Sequence, residues 1–265
     1  MPPKTPLSSL KYFLLRQRVP ADSISFKNLN GELKGLIFYS LAYIILGYGI
    51  GLLILNYPLP LMGASDFIQD FWYAIVFKFV FLLLVPSYLF FFKWGYSWSD
   101  LKLGFRPKLS NWIWGTVFVL VGFFMNTRHL GRIESQIPLF EDSFLRLLIG
   151  IILPLLIAGL PEELFFRGYL QTRLEKKWNR LLAILVTSLL FTAWHLPSRY
   201  LLAHGAEGEA GDFLGILAGT GVPVFLVSLF FGFHWSRYRN IVLLILVHWA
   251  IDTLPFLSSF FQVEF

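Results

Sequence analysis

FLRLLIGIILPLLIAGLPEELFFRGYLQT, residues 144–172, decides how this chain is read. Its first half is almost wholly apolar, and about 20 such residues cross a bilayer. The run then leads into Glu162, Glu163 and Arg167. Ionisable groups in hydrocarbon are costly and are functional candidates by default. The stretch therefore predicts a membrane helix that carries chemistry. It is too long for a simple span and contains Pro154 and Pro161. Proline removes a helix hydrogen bond and clashes with the preceding turn, so a kinked or two-part helix is expected.

The rest of the chain agrees with a lipid environment. Of 265 residues, 56% are hydrophobic, 18% aromatic and 14% charged. Soluble domains carry about 25% charged residues. Apolar stretches recur along the whole length, at 35–56, 71–93, 111–127, 144–172, 181–198, 212–234 and 240–261. The reading is an all-α, polytopic transmembrane bundle of seven spans. The sixth holds Gly219, Thr220, Gly221, Val222 and Pro223. A break there into two half-helices would make eight. A basic segment, 1–34, precedes N-terminal spans in 35–143 and a candidate catalytic core in 144–258. No internal repeat is visible.

Charge in the loops sets the sidedness. The N-terminal segment holds Lys4, Lys11, Arg16, Arg18, Lys27 and Lys34, whereas 57–70 has no Lys or Arg. Basic residues return at Lys93, Lys102, Arg106 and Lys108, then at Arg173, Lys176, Lys177 and Arg180, then at Arg237 and Arg239. This alternation follows the positive-inside rule and places the N-terminus in the cytoplasm. It also explains the net charge of +6 without nucleic acid. Trp94, Trp98 and Phe105, mixed with basic residues, suit the headgroup region. No cleavable signal peptide is seen in the first 34 residues. Cysteine is absent, which excludes disulfides and a thiolate nucleophile.

Ionisable residues inside the spans concentrate in the second half: Glu162, Glu163, Arg167, His195, His248 and Asp252. Residues four apart share a helix face. Glu163 can thus pair with Arg167, and Asp252 can orient His248. Glu162 lies about 100° round the helix from Glu163 and is the freer carboxylate. Depth points the same way. Glu162 lies 18 residues before Arg180, and His195 lies 15 after it. In a helical hairpin these come level within about a turn. His248 is nine residues beyond Arg239, about 13 Å along a helix axis. Groups from three helices are therefore expected to converge near mid-bilayer, toward the inner leaflet.

Such a set can work on an acyl carbon. Glu162 would take a proton from water, and His195 would share that water or pass the proton to a leaving amine. His248, with Asp252, would stabilise the oxyanion or fix one imidazole tautomer. Ser188, Ser198 and Ser228 lack the setting of a serine nucleophile. Lys78 sits inside the second span, where snorkelling or an interhelical contact is expected. His129, His204 and His234 are read as bystanders.

These motifs resemble those of the CAAX protease and bacteriocin-processing (Abi) family of intramembrane endopeptidases. Glu162-Glu163-Leu-Phe-Phe-Arg167 stands for EExxxR, Phe191-Thr-Ala-Trp-His195 for FxxxH, and His248-Trp-Ala-Ile-Asp252 for HxxxN or HxxxD. The resemblance covers about 144–258. It implies a helical bundle in a membrane, that of a bacterial cell, with the site open toward the cytoplasm. It implies that Glu162 and His195 activate water and that His248 and Asp252 surround the oxyanion. Asp252 replaces the Asn frequent in eukaryotic members. Implied partners are membrane lipid and a peptide or protein substrate, lipidated in the CAAX case. No cofactor is expected. Were a zinc ion used, Glu162, His195 and His248 would be its ligands. Two other functions fit the same residues: a non-proteolytic scaffold or immunity protein, and a proton-coupled transporter. The absence of an inverted repeat disfavours the latter.

Overall fold

The computed structural model describes residues 25–56, 75–101, 109–139, 143–203 and 207–261. Among these the chain is helical and has no strand. The helices are α1 (Leu29–Asn56), α2 (75–93), α3 (Leu109–Met125), α4 (Arg128–Gln136), α5 (Ser143–Lys177), α6 (Arg180–Leu202), α7 (Phe213–Tyr238) and α8 (Ile241–Phe260).

Five of them, α1, α5, α6, α7 and α8, are long and apolar enough to cross a membrane. The apolar part of α3 is shorter, and the expected second span begins outside the described residues, at 71–74. By length and composition five crossings stand among the described residues, against the seven or eight expected. The N-terminal residues 1–24, the loop 57–70, most of the basic loop at 102–108, and His204 also lie outside them.

Two alternatives about helix breaks are decided. Where a kinked or two-part helix is expected at 144–172, α5 is one continuous helix. It answers its prolines by widening into π turns at Leu155–Gly159 and again at Glu163–Gln171. A π turn bonds i to i+5 and relieves the crowding that a proline ring creates in an α turn. α7 likewise does not split at its Gly-Thr-Gly-Val-Pro stretch. Leu217–Gly221 forms a π turn, and Pro223 sits in the first turn of the α-helical segment that follows. Asp212 caps this helix by accepting from the Leu214 and Gly215 amides, and Thr220 Oγ1 donates to the Glu207 carbonyl at 2.9 Å.

The chain folds as two compact units that interleave along the sequence. The first comprises 1–48, 97–104 and 166–240. Here Asn28 and Glu32 start α1 reciprocally: Gly31 N donates to Asn28 Oδ1, and Asn28 N donates to Glu32 Oε1. This is a variant of the capping box, with the acid one residue later. Glu32 Oε2 also accepts from Arg173 Nε at 2.8 Å, and both residues are buried. Asn179 caps α6 through the Leu182 amide. α7 ends at Arg239, whose φ of 53° is left-handed. Glycine usually fills that position. Arg239 is held there by its ion pair with Glu175, by a 3.3 Å bond to Thr172 Oγ1, and by stacking of its guanidinium on Trp235. Burial pulls this guanidinium below the usual arginine range, and the Glu175 charge opposes that pull. Glu175→Ala removes the counter-charge from a buried cation. It is expected to cost about 3–5 kcal/mol, read as a fall in the unfolding temperature in detergent.

The second unit comprises 49–96, 105–165 and 241–265. α8 is its centre and packs on α3 and α5. Glycines let the backbones approach, as small residues do between membrane helices. A Cβ on Gly115 would meet Leu243, one on Gly150 would meet Leu257, and one on Gly159 would meet the α8 backbone. Asn126 Nδ2 donates to the Ile251 carbonyl at 3.1 Å, and Trp249 Nε1 donates to the Ile151 carbonyl at 2.6 Å. Ile133, Leu153, Ile157, Leu254, Leu257 and Phe261 form the buried apolar cluster beside these contacts.

Candidate active site

The second unit brings four of the six expected residues together and adds one that the sequence reading set aside. Glu162 ends the α turn Leu160–Glu162, and Glu163 opens the following π turn. Both are fully buried, at 1% and 0% exposure. From α8, His248 reaches both. Its Nδ1 lies 2.9 Å from Glu163 Oε1, and its Nε2 lies 3.7 Å from Glu162 Oε2. Asp252, one turn along α8, places Oδ2 3.4 Å from the same Nε2. Three carboxylates therefore surround one imidazole. A carboxylate is acceptor-only when ionised, so a hydrogen on either ring nitrogen has an acceptor.

The fifth residue is Lys78 of α2. Its Nζ is 2.8 Å from Glu162 Oε1. An interhelical contact is what the sequence reading expected of Lys78, but its partner was not foreseen. Intramembrane cations seek an anion at the same depth. Glu162 and Glu163 are two carboxylates with one nearby arginine in sequence, so one of them needed a cation from elsewhere. That shortfall was a usable signal. Glu163 holds the imidazole of His248, a partner that the sequence reading did not assign to it.

In the first unit, Arg167 and His195 share Phe191 as a neighbour. The Arg167 guanidinium stands 5.1 Å from the Phe191 ring centroid, and its Nη2 donates to Ser228 Oγ at 2.9 Å. His195 Nδ1 lies 2.8 Å from the Phe191 carbonyl oxygen. A carbonyl only accepts, so Nδ1 is the donor. The His195 ring also packs against Phe191 and Trp194, with centroids 4.7 and 5.7 Å away. Two of the serines have structural uses: Ser228 Oγ accepts from Arg167, and Ser198 Oγ donates to the His195 carbonyl. His234 is buried, and its ring is tilted against that of Tyr238 with centroids 4.8 Å apart.

Among the described residues no group of three or more His, Asp or Glu is placed to hold a metal ion. Glu163 faces one ring nitrogen of His248, and Glu162 and Asp252 face the other. The Lys78 ammonium also occupies one oxygen of Glu162.

Apolar helices with a buried carboxylate–imidazole cluster define an all-helical integral membrane protein with an ionisable interior site. Residues 144–254, which contain all three motifs, match the family model described as "Rce1-like: Type II CAAX prenyl endopeptidase Rce1-like". This segment is thus similar to an Rce1-like, type II CAAX prenyl endopeptidase domain. No curated protein and no solved structure matches the chain.

Proposed function

We propose that this protein is an intramembrane endopeptidase that hydrolyses a peptide bond in membrane-associated or lipidated, CAAX-like peptides. The supporting observation is the burial of Glu162 and Glu163 against His248 within apolar helices. So costly an arrangement is retained in membrane proteins for function.

In this reading Glu162 takes a proton from water while the water oxygen bonds to the scissile carbonyl carbon. The carbonyl π electrons move to oxygen, and His248 donates a hydrogen bond to that developing oxyanion. His195 orients the water and relays the proton to the nitrogen as the C–N bond breaks. The products are a free carboxylate and a free amine. Glu163 and Asp252 act on His248 by fixing its ring, and Arg167 is a structural cation. Asp252, 29% exposed, sits at the edge of the cluster, which suits a role in orientation. No metal takes part.

The test is cleavage by purified protein in liposomes, using membrane-peptide and prenyl-peptide libraries. His195→Ala and Glu162→Ala are expected to abolish cleavage that the parent protein shows. Cleavage surviving both changes would remove the proposed site. A chelator is expected to leave the rate unchanged. Inhibition reversed by added zinc would overturn the metal-independent reading. A parent protein that binds but never cleaves the peptides would point instead to a binding or immunity role.

A further inference from the structure

We propose that Lys78 is the positioning residue of Glu162, holding one carboxylate oxygen so that the other faces His248. The inference rests on the endopeptidase reading for its catalytic meaning and on the Lys78–Glu162 pair for its geometry.

The pair links two helices 84 residues apart in sequence, with Nζ 2.8 Å from Oε1. Lys78 is 22% exposed, whereas Glu162 is 1% exposed. The lysine is thus not sealed in. Its stem is long enough to carry the ammonium elsewhere, yet it points to this carboxylate. Lysine stems ordinarily let the charge leave the apolar region. Holding the charge at Glu162 therefore has a specific consequence. A carboxylate can rotate about its last bond and present either oxygen. The ammonium fixes Oε1, which leaves Oε2 as the oxygen on the His248 side, 3.7 Å from Nε2. Under the proposed mechanism Oε2 is the atom that receives the proton from water.

Charge strengthens the case. Glu162, Glu163 and Asp252 all approach His248. With Lys78 present, two basic side chains stand against three acids. Without it, one imidazole stands against three. Like charges close together repel, and Glu162 is the acid furthest from the ring among the three, so it is the one that swings away. Lys78 touches neither the imidazole nor, in the proposed mechanism, the reacting atoms. Its effect passes through Glu162.

The experiment uses the full chain in liposomes with a peptide that the parent protein cleaves. Lys78→Met is expected to lower kcat about 100-fold, the loss that a misplacement of about 1 Å produces. KM should stay within about twofold of the parent value. Lys78→Arg should recover about tenfold of that loss, because it restores the charge with different geometry. A purely structural lysine would not split kcat from KM in this way. Lys78→Met with an unchanged kcat overturns the proposal.

A second measurement is independent of activity. Unfolding temperatures are taken for Lys78→Met, Glu162→Met and the double variant. Lys78→Met should lower the temperature in the parent background and have little effect in the Glu162→Met background. Additive shifts overturn the proposal. If Lys78→Met cannot be recovered folded, recovery of the double variant supports the pair, and its failure overturns it. If the parent protein cleaves no peptide while the cycle is non-additive, the endopeptidase reading falls and the pairing stands.

Discussion

Glu162→Gln is expected to lower peptide turnover about 10²–10⁴-fold, the range that a positioned general base supplies. The substitution is chosen because it keeps the shape of the side chain. Glutamine retains a carbonyl oxygen that can accept from the Lys78 ammonium, so that helix contact has a substitute partner. What is lost is the ability to take a proton. The side chain is buried among α2, α5 and α8 residues of one compact unit, so no bulk water replaces that function. The measurement is kcat in liposomes, paired with the unfolding temperature of the same preparation. A variant with normal stability and more than about a tenth of parental turnover would exclude Glu162 as the base.

Gly159→Val is expected to lower turnover about 100-fold from a position that carries no chemistry. A Cβ at residue 159 would stand 2.8 Å from the Ile245 carbonyl oxygen and 3.3 Å from the Trp249 amide nitrogen. Both are backbone atoms of α8, and a backbone cannot turn aside as a flexible side chain can. His248 lies between those two residues. Relief of the clash must therefore move α8 away from α5 at the level where His248 meets Glu163 at 2.9 Å. Overpacking of this kind costs about 1–3 kcal/mol. A shift near 1 Å at the reacting groups costs about 10²-fold in rate. Gly159→Ala should fall between parent and Val. Gly131→Ala is the control, because a Cβ there meets nothing within 4 Å. It should leave turnover unchanged and raise helix stability by about 1 kcal/mol at most. Equal activity in Gly159→Val and Gly131→Ala would mean that α5 and α8 need not approach as described.

The membrane fold was legible because apolar length and loop charge are local properties of sequence. The continuity of α5 and α7 was not. Pro154 and the Gly-Thr-Gly-Val-Pro stretch signal a break when α-helix is the only alternative considered. A π turn accommodates both. The candidate site divides in the same way. His248 and Asp252 sit four apart on one helix, so their proximity follows from spacing. The contacts Glu163–His248 and Lys78–Glu162 join residues 85 and 84 apart, and periodicity carries no information about which helices become neighbours.

The bond from His195 to the Phe191 carbonyl has a consequence for the chemistry of that imidazole. In the neutral ring one nitrogen bears hydrogen and the other a lone pair. A main-chain carbonyl at position i−4 assigns the hydrogen to Nδ1 and leaves the lone pair on Nε2. Serine hydrolases give this task to a buried acid, which also adds a negative charge. Here the helix performs it with a neutral group that cannot titrate or swing away. Helical winding around His195 thus sets which nitrogen is basic, and it does so before any substrate arrives.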